Sequence, residues 1–391
     1  MDPLEYFSYA PHIFDLILNH LSVDDILSVS LVNSAYYKVT TNSLTFRRRI
    51  KLKVTKDLLV CKSQIVEKSD RNYHNLELNL NHRFYQNIFC VLTKFNGLKS
   101  LDLKNCLLTT EEFNRIFKIL TNLDELKLDD LTFEDVNPDE IKNIENLTKL
   151  RHLQMKAIPE ILMHPLLIKC KNLKRLSIMQ LSRKAPVDEV FKQLAEDSQF
   201  KLEQFEICDF GYYNFDQKKF GLHSFLEKSF DTLRVLEFDV WIGIASLQLV
   251  FKMPHLEKLR LYELAHADKD IDWNEVTLPC NKKIKHLNLQ DVNNHKNLSS
   301  TIFKAVPKVE FIEVYALSYE DLCEIGKSCL ELVELNAYFL DINDSNGAIF
   351  KENLFKNLKR CNISASDDLK QQILSRSEHE RSNFENLLLV N

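Results

Sequence analysis

The chain has 391 residues, with 45% hydrophobic and 27% charged residues, a composition typical of folded proteins rather than disordered ones. It contains 62 leucines but only 6 glycines, which argues against glycine-rich phosphate-binding loops. The formal net charge of −5 gives no bulk attraction to polyanions. We therefore predict neither a nucleic acid nor a membrane as a partner.

The start of the sequence lacks the features of a secretory signal. Asp2 and Glu5 stand where such a signal needs positive charge, and no stretch of 18 apolar residues occurs in the sequence. The 9 cysteines are scattered, without a C-x-x-C motif. We interpret them as reduced thiols that pack as small hydrophobic side chains. The expected location is the cytoplasm, the nucleus or both.

Residues 10–52 predict three short helices. Pro11 stands where a helix start tolerates proline, and Ser22 is placed to cap the second helix. The first helix carries one apolar stripe, formed by Phe14, Ile17, Leu18 and Leu21. Ile26 belongs to the second helix, and the third begins around Leu31, Val32 and Tyr36.

This segment resembles an F-box, because it keeps Pro11 and the pairs Leu21-Ser22, Asp25-Ile26 and Leu31-Val32 of that motif. Asn33 and Tyr36 replace its usual Cys and Trp. F-box proteins dock on the Skp adaptor of a cullin-RING (SCF) ubiquitin ligase and present a protein substrate with a second domain. The resemblance therefore implies the Skp adaptor and, through it, cullin as partners. The implied adaptor-binding residues are Pro11, Phe14, Ile17, Leu18, Leu21, Ile26, Leu31, Val32 and Tyr36.

A basic run, Arg47 to Lys53, follows the predicted helices. It is the one marked charge cluster of the sequence. We interpret it as a solvated face between the helical segment and the rest of the chain. A nuclear signal or a phosphate-binding patch is the alternative.

From residue 73 onward the pattern L-x-x-L-x-L recurs. The first copy is Tyr73-Leu76-Leu78, and the last is Phe384-Leu387-Leu389. We call the three apolar residues of each copy its anchors. The first anchors of successive copies are 23 to 31 residues apart, about 26 on average. Side chains alternate along a strand, so the second and third anchors point into a core and their neighbours point outward. One such unit cannot bury its apolar side alone, and neighbouring units must stack.

Helical patterns separate these strands, for example Phe113, Ile116 and Phe117. This alternation of strands and helices, with a period of about 26 residues, resembles leucine-rich repeats. It implies an α/β fold in which a small all-α F-box precedes a leucine-rich-repeat solenoid, with a parallel sheet on the concave face and helices on the convex face. We expect an F-box over residues 8–50, a junction over 51–72 and about 12–13 repeats over 73–391. The family often has Asn or Cys in the loop after the strand. Here only Cys106 fits, so we expect apolar packing to close the other loops.

The outward strand positions of the second half combine acidic and aromatic residues. Tyr262, Tyr315 and Tyr338 fall in one column, and exposed aromatics on a rigid sheet are typical binding anchors. We predict a surface that binds a partner of basic and apolar character. The alternative is that these tyrosines pack on one another. The predicted substrate-binding residues are Glu206, Glu237, Asp239, Tyr262, Phe311, Glu313, Tyr315 and Tyr338.

No nucleophile, zinc or nucleotide motif occurs, so we predict no enzyme activity, no cofactor and no catalytic, cofactor-binding or metal-binding residues. The predicted function is substrate recognition within an SCF ubiquitin ligase. One alternative is a leucine-rich-repeat scaffold with no role in ubiquitination, whose N-terminal helices only cap the solenoid. Another is adaptor binding without ubiquitination.

Overall fold

The computed structural model describes most of the chain. The described residues are 11–32, 34–55, 73–83, 86–135, 137, 140–159, 162–179, 187–197, 199, 201–208, 220–238, 242–262, 271–290, 297–341 and 357–365. The chain divides into two compact units. The first contains residues 1–185 and 197–200, and the second contains residues 186–196 and 201–391.

The first unit begins with four short helices, α1 (Pro11–Asn19), α2 (Val23–Ser30), α3 (Ser34–Asn42) and α4 (Leu44–Arg49). Ser22 caps α2 as predicted, because its side chain accepts the backbone N–H of Asp25 while the Asp25 carboxylate accepts that of Ser22. The sequence predicted three helices. The fourth forms because Ser43 supplies a second cap, with its hydroxyl accepting the N–H of Phe46 at 3.0 Å.

Six parallel strands follow in the first unit: β1 (Lys51–Thr55), β2 (Asn75–Arg83), β3 (Ser100–Leu108), β4 (Glu125–Phe133), β5 (His152–Lys156) and β6 (Arg175–Met179). Between them lie α5 (Ile88–Lys94), α6 (Thr110–Ile119), a 3₁₀ turn (Ile144–Asn146) and α7 (Met163–Lys169). The predicted anchors share one register, with Leu76 opposite Leu101 and Leu101 opposite Leu126. The sheet starts one strand earlier than expected, because β1 occupies the first residues of the predicted junction and pairs with β2. Residues 56–72 lie outside the described residues, so the extent of the junction stays a prediction.

The second unit repeats the same arrangement. Its described strands are β7 (Gln204–Cys208), β8 (Val235–Phe238), β9 (Lys258–Leu261), β10 (His286–Leu289), β11 (Phe311–Ser318), β12 (Glu334–Asp341) and β13 (Arg360–Ala365), each parallel to its neighbour. Its described helices are α8 (Val187–Asp197), α9 (Phe220–Lys228), α10 (Gly243–Lys252), α11 (Leu298–Ala305) and α12 (Tyr319–Ser328). Ser318 and Asp321 form the predicted capping box of α12. The last predicted copy, Phe384-Leu387-Leu389, lies outside the described residues.

Leucine anchors and helix side chains share the core in each unit. Leu101, Leu103 and Leu126 are at most 1% exposed. In the second unit the Phe205 ring on β7 lies 5.8 Å from the Phe191 ring on α8 and 5.0 Å from the Phe225 ring on α9. The helices therefore pack on the anchor face of the sheet, and the alternate strand residues form its outward face. This is the predicted α/β solenoid of leucine-rich-repeat type.

At the loop positions after the strands whose side chains the structure describes, apolar residues are buried, as expected for those loops. Cys106, Leu131, Ile158 and Leu317 at these positions are at most 3% exposed. Burial removes these side chains from water and replaces the polar ladder of the family with hydrophobic contact.

Candidate functional site

The four N-terminal helices have a small core of their own. Phe14, Leu18 and Ile26 are at most 4% exposed. Asp15 ties α1 to α4, because its carboxylate accepts the N–H of Thr45 at 3.1 Å and that of Leu44 at 3.3 Å. Burial alone would raise the pKa of Asp15, but hydrogen bonds, led by that from Ser43, outweigh burial and lower this pKa. The carboxylate is therefore held ionised in a structural role.

The same helices expose an unusual amount of apolar surface. The described residues contain eight exposed large hydrophobic side chains, of which seven fall between residues 13 and 44 and one is Leu330. We call these seven the N-terminal apolar group: Ile13, Leu16, Ile17, Val23, Leu31, Val32 and Leu44. Leu31 is 77% exposed, Val32 is 65% and Leu16 is 60%. Because exposed apolar side chains are concentrated in one short helical segment, this segment is a candidate protein-binding site.

The structure divides the predicted adaptor-binding residues. Ile17, Leu31 and Val32 belong to the N-terminal apolar group, and Leu21 and Tyr36 are half-buried. Phe14, Leu18 and Ile26 are buried in the core of these helices, and their contact with an adaptor stays a prediction. The side chain of Pro11 lies outside the described residues.

Sequence reasoning missed Ile13, Leu16, Val23 and Leu44. A signal was present, because Ile13, Leu16 and Ile17 form a second stripe at i, i+3 and i+4 beside the stripe that was recognised. A helix that is apolar on two faces can bury one face in its own domain while the other face stays exposed on the surface.

Glu237 forms two ion pairs on the outward face of the second unit. Its carboxylate lies 3.2 Å from Lys258 Nζ and 3.1 Å from Arg260 Nη1, and its side chain is only 7% exposed. Burial alone would lower the pKa of Arg260, but Glu237 outweighs burial and raises it. Both oxygens of Glu237 are thus engaged within the chain. Its predicted role as a substrate ligand stays a prediction, and the charge excess of the face is smaller than its composition indicated.

Three other predicted substrate-binding residues lie on the outward face of β11. Tyr315 pairs with Tyr338 across β11 and β12, as the predicted column requires. The Phe311 ring lies 5.7 Å from the ring of His286, and Glu313 accepts a hydrogen bond from Asn288 at 2.6 Å.

The other members of this set follow the same face. Glu206 and Tyr262 are half-buried, and burial raises the pKa of the Tyr262 phenol. Asp239 and the side chain of Tyr338 lie outside the described residues.

The outward face of the first unit is held by internal ion pairs. Lys51 and Lys104 each lie 3.2 Å from Asp102, and Lys51 lies 3.1 Å from Glu77. Burial alone would lower the pKa of Lys51, but its bonds to Glu77 and Asp102 outweigh burial and raise it. These charges neutralise one another, so this part of the face is less suited to a charged partner than its composition indicates.

Reactive groups are few in the part of the chain that the structure describes. No cluster of three His, Cys, Asp or Glu side chains there is placed to hold a metal ion. The described cysteines are free thiols, and burial raises the pKa of Cys106, Cys170 and Cys329 to about 12. No helix among the described residues is both long and apolar enough to cross a bilayer.

Comparison with known proteins leaves the family open. No protein-family model matches the chain, and no curated protein matches it. Among solved structures, it is similar to an internalin of Listeria monocytogenes (16% identity, TM-score 0.40, covering 90% of this chain and 92% of that chain). It is also similar to a chain of the TLR13–ssRNA13 complex, with 15% identity and a TM-score of 0.45, covering 83% of this chain and 50% of that chain. A chain of the yeast Rad7 and Elc1 complex is similar as well, with 14% identity and a TM-score of 0.42, covering 94% of this chain and 95% of that chain. The fold assignment rests on the strand pairing of the chain itself.

Proposed function

We propose that this chain is the non-catalytic substrate-recognition subunit of an SCF (Skp–cullin–F-box) ubiquitin ligase in the cytoplasm or nucleus. In this proposal α1–α4 dock on the Skp adaptor, and the outward strand face of the second unit binds the protein to be ubiquitinated. The F-box-like residues at the N-terminus and the repeat fold that follows support this reading.

The single observation that carries the proposal is the concentration of exposed apolar side chains in α1–α4 and their links. A fully buried Leu, Ile or Val side chain contributes about 1.5–3 kcal/mol, so each side chain of the N-terminal apolar group, already partly covered, adds roughly 1 kcal/mol on docking. Seven such contributions are comparable with the lower estimates for the cost of association. Docking on an apolar surface of the adaptor would therefore be favourable with modest help from polar contacts.

The test uses the full chain and a purified Skp adaptor. The double variant Leu16→Asp and Leu31→Asp places two charges in the N-terminal apolar group without touching the core. Leu330→Asp is the matched control, because Leu330 is 64% exposed and lies in the second unit. We expect the adaptor to be captured by the wild type and by the control but not by the double variant. Equal capture by all three would refute the docking assignment.

Ubiquitin transfer separates ligase function from adaptor binding alone. A reconstituted ligase should modify a protein that co-purifies with the wild-type chain and leave it unmodified with the double variant. Adaptor capture without any transfer would favour the reading in which the chain binds the adaptor but takes no part in ubiquitination.

The scaffold reading has one observation in its favour. The Phe46 ring of α4 lies 5.9 Å from that of Tyr73, which in turn lies 5.6 Å from Phe95. Asn75 also donates to the Arg48 carbonyl at 2.6 Å. These contacts let the helical segment cap the first strands, and a chain that is only a capped scaffold would not capture the adaptor.

For the substrate, we propose a partner of basic and apolar character on the face that carries Phe311, Glu313 and Tyr315. Alanine at Tyr315 and Tyr338 should weaken capture of that partner while leaving thermal stability nearly unchanged. Unchanged capture would show that the tyrosines only pack on each other.

A further inference from the structure

The acidic residues on the outward strand faces differ in whether a cation lies beside them. Most of them form an ion pair within the chain. Those that lie within 3.6 Å of a Lys or Arg nitrogen are Glu77, Asp102, Glu125, Asp129, Glu237 and Glu334. In the part of these faces that the structure describes, Glu206 and Glu313 are the acids without such a pair.

The strand register explains why Glu313 lacks a counter-ion. Asn288 on β10 and Asn336 on β12 stand directly beside it, and Phe311 and Tyr315 flank it along β11. The diagonal positions are held by His286, Glu334 and Tyr338. None of these neighbours is Lys or Arg, so the Glu313 carboxylate is not neutralised by a strand neighbour in the way that Glu237 is.

Asn288 orients the Glu313 carboxylate. Its side-chain Nδ2 donates to Glu313 Oε2 at 2.6 Å, and the residue is 5% exposed. A carboxylate can only accept, so this bond fixes which end of the amide faces Glu313. The other end, Oδ1 of Asn288, is buried and accepts no hydrogen bond from the described residues. A buried acceptor without a donor costs free energy, so a ligand that brings a donor to this position would be favoured.

Phe311 adds an aromatic ring to this carboxylate. Phe311 and Glu313 are both half-buried, and the Phe311 ring lies 5.7 Å from the ring of His286. Alternate residues of a strand are about 6.8 Å apart on one face, so one long side chain of a ligand can contact both. A ring beside a carboxylate suits a cation whose charge is spread over a plane.

Glu206 lacks this setting. Gln204 and Cys208 flank it along β7, and the acidic Glu237 lies opposite it on β8. These neighbours supply neither an aromatic ring nor an amide that donates to its carboxylate. Glu313 is therefore the better equipped of the two to bind a cation.

We propose that Glu313 binds an arginine side chain of the protein that this face recognises. The inference deepens the proposed function and rests on its assignment of this face to the substrate. A guanidinium has five N–H donors in one plane, so it can donate to Glu313 and Asn288 while its face lies on Phe311. A lysine ammonium is a compact, strongly hydrated charge, which fits a ring and two acceptors less well.

The experiment measures binding of fluorescein-labelled peptides to the full chain by anisotropy. The probe has twelve residues in which Arg alternates with Ser, so an extended peptide presents every Arg on one side and no register needs to be known. Two counterparts carry Lys or citrulline in place of every Arg. The Lys peptide keeps the charge, and the citrulline peptide keeps the planar shape without the charge.

Three variants that each change the net charge by the same amount are compared with the wild type. Glu313→Gln removes the carboxylate. Asn336→Arg places a guanidinium opposite Glu313, as Arg260 stands opposite Glu237 across β8 and β9. Glu275→Gln is the matched control, because Glu275 is exposed in the turn between β9 and β10. Circular dichroism melting of each variant checks that it is folded.

We expect the wild type to bind the Arg peptide about fivefold more tightly than the Lys peptide, as a stacked guanidinium would give, and the citrulline peptide most weakly. Glu313→Gln should lose about 10-fold in affinity for the Arg peptide and should no longer prefer Arg over Lys. Asn336→Arg should weaken Arg binding similarly because it occupies the carboxylate from within the chain. The control should stay within about twofold of the wild type.

Equal binding of the Arg and Lys peptides by the wild type, or no binding of either, would overturn the proposal. Unchanged affinity in Glu313→Gln, or an equal loss in Glu275→Gln, would also overturn it. The assay contains no adaptor, so it fails separately from the ligase role. Lost adaptor capture with the Arg preference kept would refute that role alone, and adaptor capture without an Arg preference would refute this inference alone.

Discussion

Replacing Glu237 with Gln tests whether the acidic residues of the outward face are structural or free to bind a partner. Glu237 is the most enclosed acid predicted for substrate binding, with its side chain 7% exposed and two cations within 3.2 Å. Glu206 lies directly opposite it on the neighbouring strand and is half-buried. The pair Glu237→Gln and Glu206→Gln therefore compares two carboxylates on one face that differ mainly in their ion pairing.

The expected loss can be bracketed from the exposure of the groups. Removing one partner of a fully buried ion pair costs about 3–5 kcal/mol, whereas an exposed pair contributes at most about 1 kcal/mol. Lys258 and Arg260 are each 33% exposed, so water can partly solvate them after the change. We expect Glu237→Gln to lower the free energy of unfolding by about 2 kcal/mol, which is a fall of about 4–8 °C in Tm for a unit of this size.

Glu206→Gln should be neutral or slightly stabilising, because it removes a like charge facing Glu237 across the strands. Urea unfolding followed by far-UV circular dichroism, with the midpoint and slope reported for both variants, measures the difference. An equal loss in the two variants, or none in Glu237→Gln, would contradict the structural role. Weaker partner capture by Glu237→Gln at unchanged stability would restore it as a ligand.

Three further outcomes follow from burial and charge. Burial would raise the pKa of Glu77, but neighbouring lysines outweigh it and lower this pKa below 4.5. Stability should therefore fall as pH drops below about 4.5, and less steeply in Glu77→Gln. Phe205→Ala should cost about 3–5 kcal/mol in urea unfolding, since Phe205 is 0% exposed, and a loss below about 1 kcal/mol would contradict this packing. At pH 8, iodoacetamide should modify the exposed Cys90 and Cys280 and spare Cys106, whose pKa is raised to about 12, as mass spectrometry of the native chain can show.

The repeat architecture could be predicted because each repeat is specified locally. Burial of an anchor such as Leu101 requires only that side chains alternate along its strand and that a neighbouring repeat stacks on it. The spacing of the leucines in the sequence predicts both conditions. The cap formed by Ser318 and Asp321 was predicted for the same reason, since its two partners are three residues apart. Strand β1 was missed because Lys51–Thr55 carries only a short, charged copy of the pattern. Its strand conformation is stabilised by pairing with β2, which the local sequence does not indicate.

The site was harder to predict because it depends on distant contacts. Which apolar stripe of α1 faces the core is decided by helices that come later in the chain. The sequence therefore indicated Phe14 as an adaptor-binding residue, and Leu16 was overlooked. The neutralisation of Glu237 likewise depends on residues one repeat away. Composition gave the charges of the outward face, but the pairing between strands decides which of them remain available.

Isothermal titration calorimetry of the full chain with a purified Skp adaptor can decide whether α1–α4 dock on that adaptor, because it measures the affinity and the heat-capacity change of binding together. Docking through α1–α4 should give saturable binding with a negative heat-capacity change, as expected when apolar surface leaves water. Binding should be lost in Leu16→Asp with Leu31→Asp and kept in Leu330→Asp. No heat of binding to the wild type, or equal affinity in the double variant, would contradict the claim that α1–α4 are an adaptor-docking surface.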